Sequence, residues 1–162
     1  FGRMSALTIN TILITVLSGV LVYIIGEILQ TVWLTPLQKF KAIKHDVAVT
    51  LTFYSRIYTN IIDAAHSTMS DREEYSEVSD KIRNLSCELK GYIETLSWIK
   101  IGIPSKKKLF EAADLLMLLS NSLFSPYDVA PTTQDNRENK DVANQVFALL
   151  GMYGKKKSKR NK

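Results

Sequence analysis

The distribution of apolar and polar positions divides this chain into two regimes. From residue 4 to residue 26 there is one polar amide, a few hydroxyls and no charge. The apolar run then continues to Leu34, broken by Glu27 and a few uncharged polar residues. Beyond it the pattern becomes periodic. Leu37, Phe40, Ile43, Val47, Leu51, Tyr54, Tyr58 and Ile61 recur every three or four residues. That is one apolar stripe on a helix about 40 Å long. Tyr75, Val78, Ile82, Leu85, Leu89, Tyr92, Leu96 and Ile99 repeat the spacing. So do Leu109, Ala112, Ala113, Leu116, Leu119 and Leu123, and a shorter set over 137–152 contains Val142, Val146, Phe147, Leu149 and Leu150.

Local signals punctuate these stripes. Thr35, Pro36 and Gln38 read as N-cap, first helical position and capping-box partner, or else as a proline within one continuous helix. Ser70 with Glu73 forms a second capping box. Pro104 stops the second stripe and Ser105 caps the third. Residues 125–136, SPYDVAPTTQDN, are a loop of turn formers. No strand alternation and no internal repeat stands out. The expected fold is all-α: one N-terminal transmembrane helix, then an antiparallel bundle of three long helices and one short one. The expected division is an anchor over 1–34, a bundle over 35–152 and a basic tail over 153–162.

The reading of a retained span rests on length. A secretory signal has an apolar region of about 7–15 residues and a small-residue cleavage site. The run here is longer and no A-x-A site follows it, so residues 7–30 are expected to cross a bilayer, which takes about 20 apolar residues. Basic residues set the orientation. Arg3 stands alone before the span, while Lys39, Lys41 and Lys44 follow it. The bundle is therefore expected in the cytoplasm, with the N-terminus on the other side of the membrane and Trp33 at the interface. At about 100° per residue, Thr8, Thr11, Thr15, Ser18, Gly19, Val22 and Gly26 share one arc. Small residues let helix backbones approach closely in lipid. That face is expected to pack against a second copy or another membrane protein. Glu27 lies on a different arc. An intramembrane acid is a functional candidate, although a carboxylate this near Trp33 can also reach the headgroups.

Charge sharpens the picture once it is located. The net charge is +5, but six of the 21 basic residues lie in the tail GKKKSKRNK, leaving 15 against 16 acidic residues in the body. In an antiparallel bundle three basic segments would meet at the membrane end. They are Lys39 and its neighbours, the segment from Trp98 to Lys106, Lys107 and Lys108, and the tail with Lys155, Lys156 and Lys157. Ten of the 16 acids, among them Asp71, Glu73, Glu74 and Asp141, would gather at the far end. The basic groups are expected to contact anionic lipid headgroups. Nucleic acid is the disfavoured partner, because the tail has no interleaved aromatics and no accompanying motif.

Catalytic chemistry is hard to assemble from this chain. His45 and His66 are its two histidines, and neither has a partner at metal-ligand spacing. Cys87, the single cysteine, reads as a small buried or half-buried residue. The acids of DREE, residues 71–74, suit a helix N-terminus. In LLMLLSNSLF, residues 115–124, Asn121 and Ser122 are expected to face solvent near a helix end. No nucleotide-binding, hydrolase or metalloprotease motif is present. The expectation is no enzyme, no cofactor, no metal and no catalytic residue.

The stretches PLQKFK (36–41), TFYSRIYTN (52–60), IRNLSCEL (82–89) and IPSK with LLSNSL (103–123) resemble a group of small bacterial single-span membrane proteins of unknown function. The resemblance implies an inner-membrane location and a cytoplasmic helical region, and no functional residue. The leading expectation is a non-enzymatic membrane protein whose span associates and whose bundle is a docking module. The alternatives are an effector that oligomerises and permeabilises the bilayer, with Glu27 on a wet path, and an enzyme with an unrecognised site.

Overall fold

The computed structural model describes residues 6–63, 67–96, 102–125 and 133–152. Among the described residues the regular structure is helical apart from one strand pair of two residues each. Helix α1 covers Ala6–Leu29, passes through a π-helical turn at Gln30–Leu34 and continues as α2, Thr35–Phe53. A short α3 follows at Ser55–Tyr58, then α4 at Met69–Thr95, α5 at Lys106–Asn121 and α6 at Thr133–Leu149. Strand β1, Ile62–Asp63, pairs in parallel with β2, Phe124–Ser125. Two residues are too few to show alternation, which is why the pair left no mark in the sequence pattern.

Of the two readings of TPLQ, the continuous helix is the one found. Thr35 has helical angles and does not act as an N-cap. Pro36 has no N–H, and in an α-helix its ring would press on the carbonyl four residues back. The π turn relieves this by reaching five residues back. The Thr35 N–H bonds the Gln30 carbonyl, and the Thr35 hydroxyl donates to the same oxygen at 3.0 Å.

The first stripe is interrupted where no proline or glycine marks it. At Tyr54 the backbone leaves the helical region (φ −93°, ψ 18°), and α3 resumes one residue later. Lys81 of α4 holds Tyr54 there: its Nζ donates to the Tyr54 hydroxyl at 2.7 Å and lies 5.0 Å from the ring centre. Helix α4 begins earlier than the Ser70–Glu73 box implies. Its N-cap is Thr68, whose Oγ1 accepts from the Asp71 N–H at 3.2 Å and donates to Asp71 Oδ2 at 2.6 Å. Two overlapping boxes were available, and the earlier one adds a half-turn of helix. Ser105 caps α5 as expected, accepting from the Lys108 N–H. Helix α6 starts at Thr133, inside the stretch read as loop; Asp135 stands in its first turn, where the helix dipole favours an acid.

The core lies among α2, α4, α5 and α6. It is formed by the positions the stripes picked out, including Phe40, Ile43, Val47 and Leu51 from α2, Ile82 and Leu89 from α4, and Leu109, Leu116 and Leu119 from α5. From α6 come Ala143 and Val146, and Leu150 follows directly after it. Small residues bring α4 and α5 together: Ser79 donates to the Ser120 carbonyl at 2.9 Å and Ser86 to the Ala113 carbonyl at 2.6 Å, all buried. Outside them, Lys90 pairs with Asp114 at 2.8 Å and Arg83 donates to Asn121 at 3.0 Å.

At one end Tyr75 of α4 donates to the Asn60 carbonyl just past α3. At the other, Tyr92 donates to the Pro36 carbonyl at 3.0 Å, at the start of α2. Asn139 of α6 is buried and joins three elements. Its Nδ2 donates to the Tyr58 carbonyl at 3.0 Å, and its Oδ1 accepts from Ser122 at 2.6 Å. Asn136 accepts from the Ile61 N–H at 2.9 Å. Ser122 is thus half-buried and bonded rather than solvated, while Asn121 is exposed. Cys87 is exposed on α4, contrary to the buried reading. It follows buried Ser86 by one residue, and a helical step of about 100° turns it off the packed face.

Candidate functional site

The described part of α1 has no covering layer. Ile12, Leu13, Ile14, Val16, Leu17, Val22 and Tyr23 are all more than half exposed. Among the described residues one helical run is long and apolar enough to cross a membrane, and none of its most apolar stretch is buried. On the small-residue face the hydroxyls of Thr15 and Ser18 donate within the helix. Thr15 donates to the Thr11 carbonyl and Ser18 to the Thr15 carbonyl, both at 2.9 Å. These two hydroxyls therefore present little unmet hydrogen-bonding demand. A side chain added at Gly19 or Gly26 would meet nothing within 4 Å.

Glu27 is exposed near the end of α1. With Tyr23, Gly26, Gln30 and Thr31 it lines a shallow hollow of about 440 Å³ beside the π turn. Trp33 follows within that turn, and Lys39 is exposed in the first turns of α2.

Three connections gather other segments around this junction. Tyr92 brings the end of α4 to Pro36. Burial pushes its phenol up to about 12, so it stays a neutral donor over the ordinary pH range. Gly102, at φ 82°, turns the segment before α5 against α2: a Cβ there would sit 3.4 Å from Leu37 Cδ1. The positive φ makes glycine the residue that fits. Lys106 is half-buried and Lys107 and Lys108 are exposed in the turn that follows. Finally, Lys44 of α2 donates to the Gly151 carbonyl at 2.9 Å, fixing the end of α6. Trp98 and Lys155–Lys157 lie outside the described residues, as do His66 and Asp128.

The end of α6 is built by a Schellman motif. Gly151 is left-handed (φ 67°), its N–H reaches the Ala148 carbonyl at 3.1 Å, and the Met152 N–H reaches the Phe147 carbonyl at 2.8 Å. That fold-back sets Met152 beside Phe147. The two residues wall a groove of about 540 Å³ whose α2 side is Lys41, Lys44, His45 and Ala48. Sequence patterning assigned Phe147 to a core stripe and left Met152 without a role. The L-G-M ending after an apolar helix was the signal that could have found them.

Among the described residues no group of three or more His, Cys, Asp or Glu side chains is placed to hold a metal. No family model, curated protein or solved structure matches the chain.

Proposed function

We propose that this is a non-enzymatic, single-span protein of the bacterial inner membrane. Its span associates with itself or a membrane partner, and its cytoplasmic helical bundle serves as a docking module. The observation that carries the reading is the contrast within one continuous helix. Ala6–Leu29 carries apolar side chains around its circumference and is uncovered from Asn10 on, whereas α2 buries a single stripe. A helix apolar on all sides needs an apolar surrounding. A soluble-core helix would find it in protein; here lipid supplies it.

In this reading the bundle is antiparallel. The pairings of Tyr92 with Pro36, Tyr75 with Asn60, Ser86 with Ala113 and Lys44 with Gly151 support that order. Lys39, Lys106, Lys107, Lys108 and the tail then face anionic headgroups, each worth about 1 kcal/mol close to the surface. The cations at the start of α5 oppose its dipole, and lipid phosphate offsets that. The resemblance to small bacterial single-span proteins agrees with this placement.

Association through Thr11, Thr15, Ser18, Gly19 and Gly26 is tested by purifying the full-length protein in mild detergent and measuring its mass. A defined oligomer or a co-purifying membrane protein, lost in Gly19→Leu and Gly26→Leu, is the expected result. A monomer unaffected by either change removes this part of the proposal.

The hollow beside Glu27 favours a second reading, a bilayer-permeabilising effector with the carboxylate on a wet path. Ion leakage on overexpression that disappears with Glu27→Gln would select it. Equal leakage, or none, with both forms would eliminate it.

A further inference from the structure

The groove between α2 and α6 extends beyond its basic part. Ala48 also lines an adjoining shallow surface with Val49, Thr52 and Phe53. Phe53 is 75% exposed and Val49 51%. From Lys41 to Phe53 this seam runs about 18 Å, or three helical turns. It is graded. Lys41, Lys44 and His45 lie at the end nearer the span, and the apolar side chains continue away from it. Lys41 and His45 have no acidic partner among the described residues. Lys44 gives a hydrogen bond to a carbonyl, which leaves its charge uncompensated.

We propose that this seam is the docking site for an acidic amphipathic helix of a partner protein. The inference rests on the docking reading above and names its site. Charge complementarity selects the occupant. The chain's own tail is basic and would be repelled by the same lysines. A bilayer lipid with its head on those lysines would have to direct its chains away from the membrane. In a second copy the acid-bearing helices α4, α5 and α6 already bury their apolar faces in that copy's own core, so none is free to dock with its apolar side. A helix of about three turns satisfies all three constraints, with apolar anchors toward Phe147, Met152 and Phe53 and carboxylates toward Lys41, Lys44 and His45.

The test uses the full-length protein in nanodiscs of zwitterionic phosphatidylcholine. The probe is a fluorescent 14-residue synthetic helix with leucines at i, i+3, i+4 and i+7 and glutamates between them. Saturable binding is expected, with none for a scrambled peptide of equal composition or for the lysine counterpart. Lys41→Glu should weaken binding roughly tenfold. Phe53→Ser should weaken it severalfold. Both sites are exposed, so unchanged thermal unfolding serves as the folding control. No saturable binding, equal binding of the scrambled peptide, or indifference to Lys41→Glu overturns the proposal. So does uptake of oleate without peptide, which would give the groove to a lipid. Gly19→Leu and Gly26→Leu leave the groove untouched and should bind the peptide normally, so failure of span association and failure of the groove are separable.

Discussion

Helices α1 and α2 form one helical run, yet they solve opposite problems. In α2 every third or fourth residue is apolar, and Ile43, Val47 and Leu51 are essentially inaccessible. In α1 sixteen of the 24 residues are apolar and spread around the helix, and from Asn10 on they remain exposed. A stripe is the signature of a helix with water on one side and protein on the other. Uniform apolarity is the signature of a helix with one kind of neighbour all round. The difference teaches that it is the arrangement of hydrophobic residues, more than their number, that separates these two parts of one helix. The π turn at Gln30–Leu34, set by Pro36, marks the change between them.

The contrast breaks most visibly in the core. Leu116→Ala, at a fully buried site, should destabilise the bundle by about 2–5 kcal/mol. Leu17→Ala, at a 59% exposed site of α1, should leave bundle stability within about 0.5 kcal/mol. Denaturant titration of the detergent-solubilised protein, followed by bundle fluorescence, compares the two. Equal losses would mean that α1 is part of the same packed unit.

Asn139→Leu probes the polar join among α3, α5 and α6. It removes the bond to the buried Tyr58 carbonyl and the α6 acceptor of the Ser122 hydroxyl, so a loss of about 1–3 kcal/mol is expected in the same titration.

Tyr92→Phe sharpens the junction. Losing one hydrogen bond should cost about 1 kcal/mol at neutral pH. The phenol's folded value is raised to about 12 from an ordinary 10, so the folded state holds its proton more tightly. Its contribution is complete below pH 10 and is lost as pH rises toward 12. The variant should show a shallower alkaline decline, measured as thermal midpoint against pH.

Periodicity made most of the bundle legible. The stripe positions within α4 and α5 are all buried, and Ser105 was readable as a cap; the buried Ser79, Ser86, Ile93 and Ser120 lie outside the stripes. The break at Tyr54 was not legible, because it depends on Lys81, 27 residues later. The start of α4 was misplaced: Ser70 with Glu73 fits the capping-box pattern, but Thr68 with Asp71 does the capping and α4 begins at Met69. Cys87 was misjudged from residue type, when its one-residue offset from Ser86 decides its exposure. The α2–α6 groove was invisible because its closing contact joins Lys44 to Gly151, 107 residues apart. Local pattern reports which face of a helix is apolar. It does not report how far apart two faces stand.

The central claim is that α1 lies in lipid while the bundle stands in water, and equal exposure of apolar side chains on both parts makes it testable. In a Cys87→Ser background, single cysteines replace Ile14 and Val20 in α1, and Phe53 and Leu118 in the bundle. All four positions are about half exposed or more. The full-length protein is reconstituted in vesicles and treated with a membrane-impermeant maleimide, before and after detergent. The account predicts that positions 14 and 20 are protected in the intact bilayer while positions 53 and 118 react on outward-facing molecules. Labelling of positions 14 and 20 as fast as position 53 would contradict it.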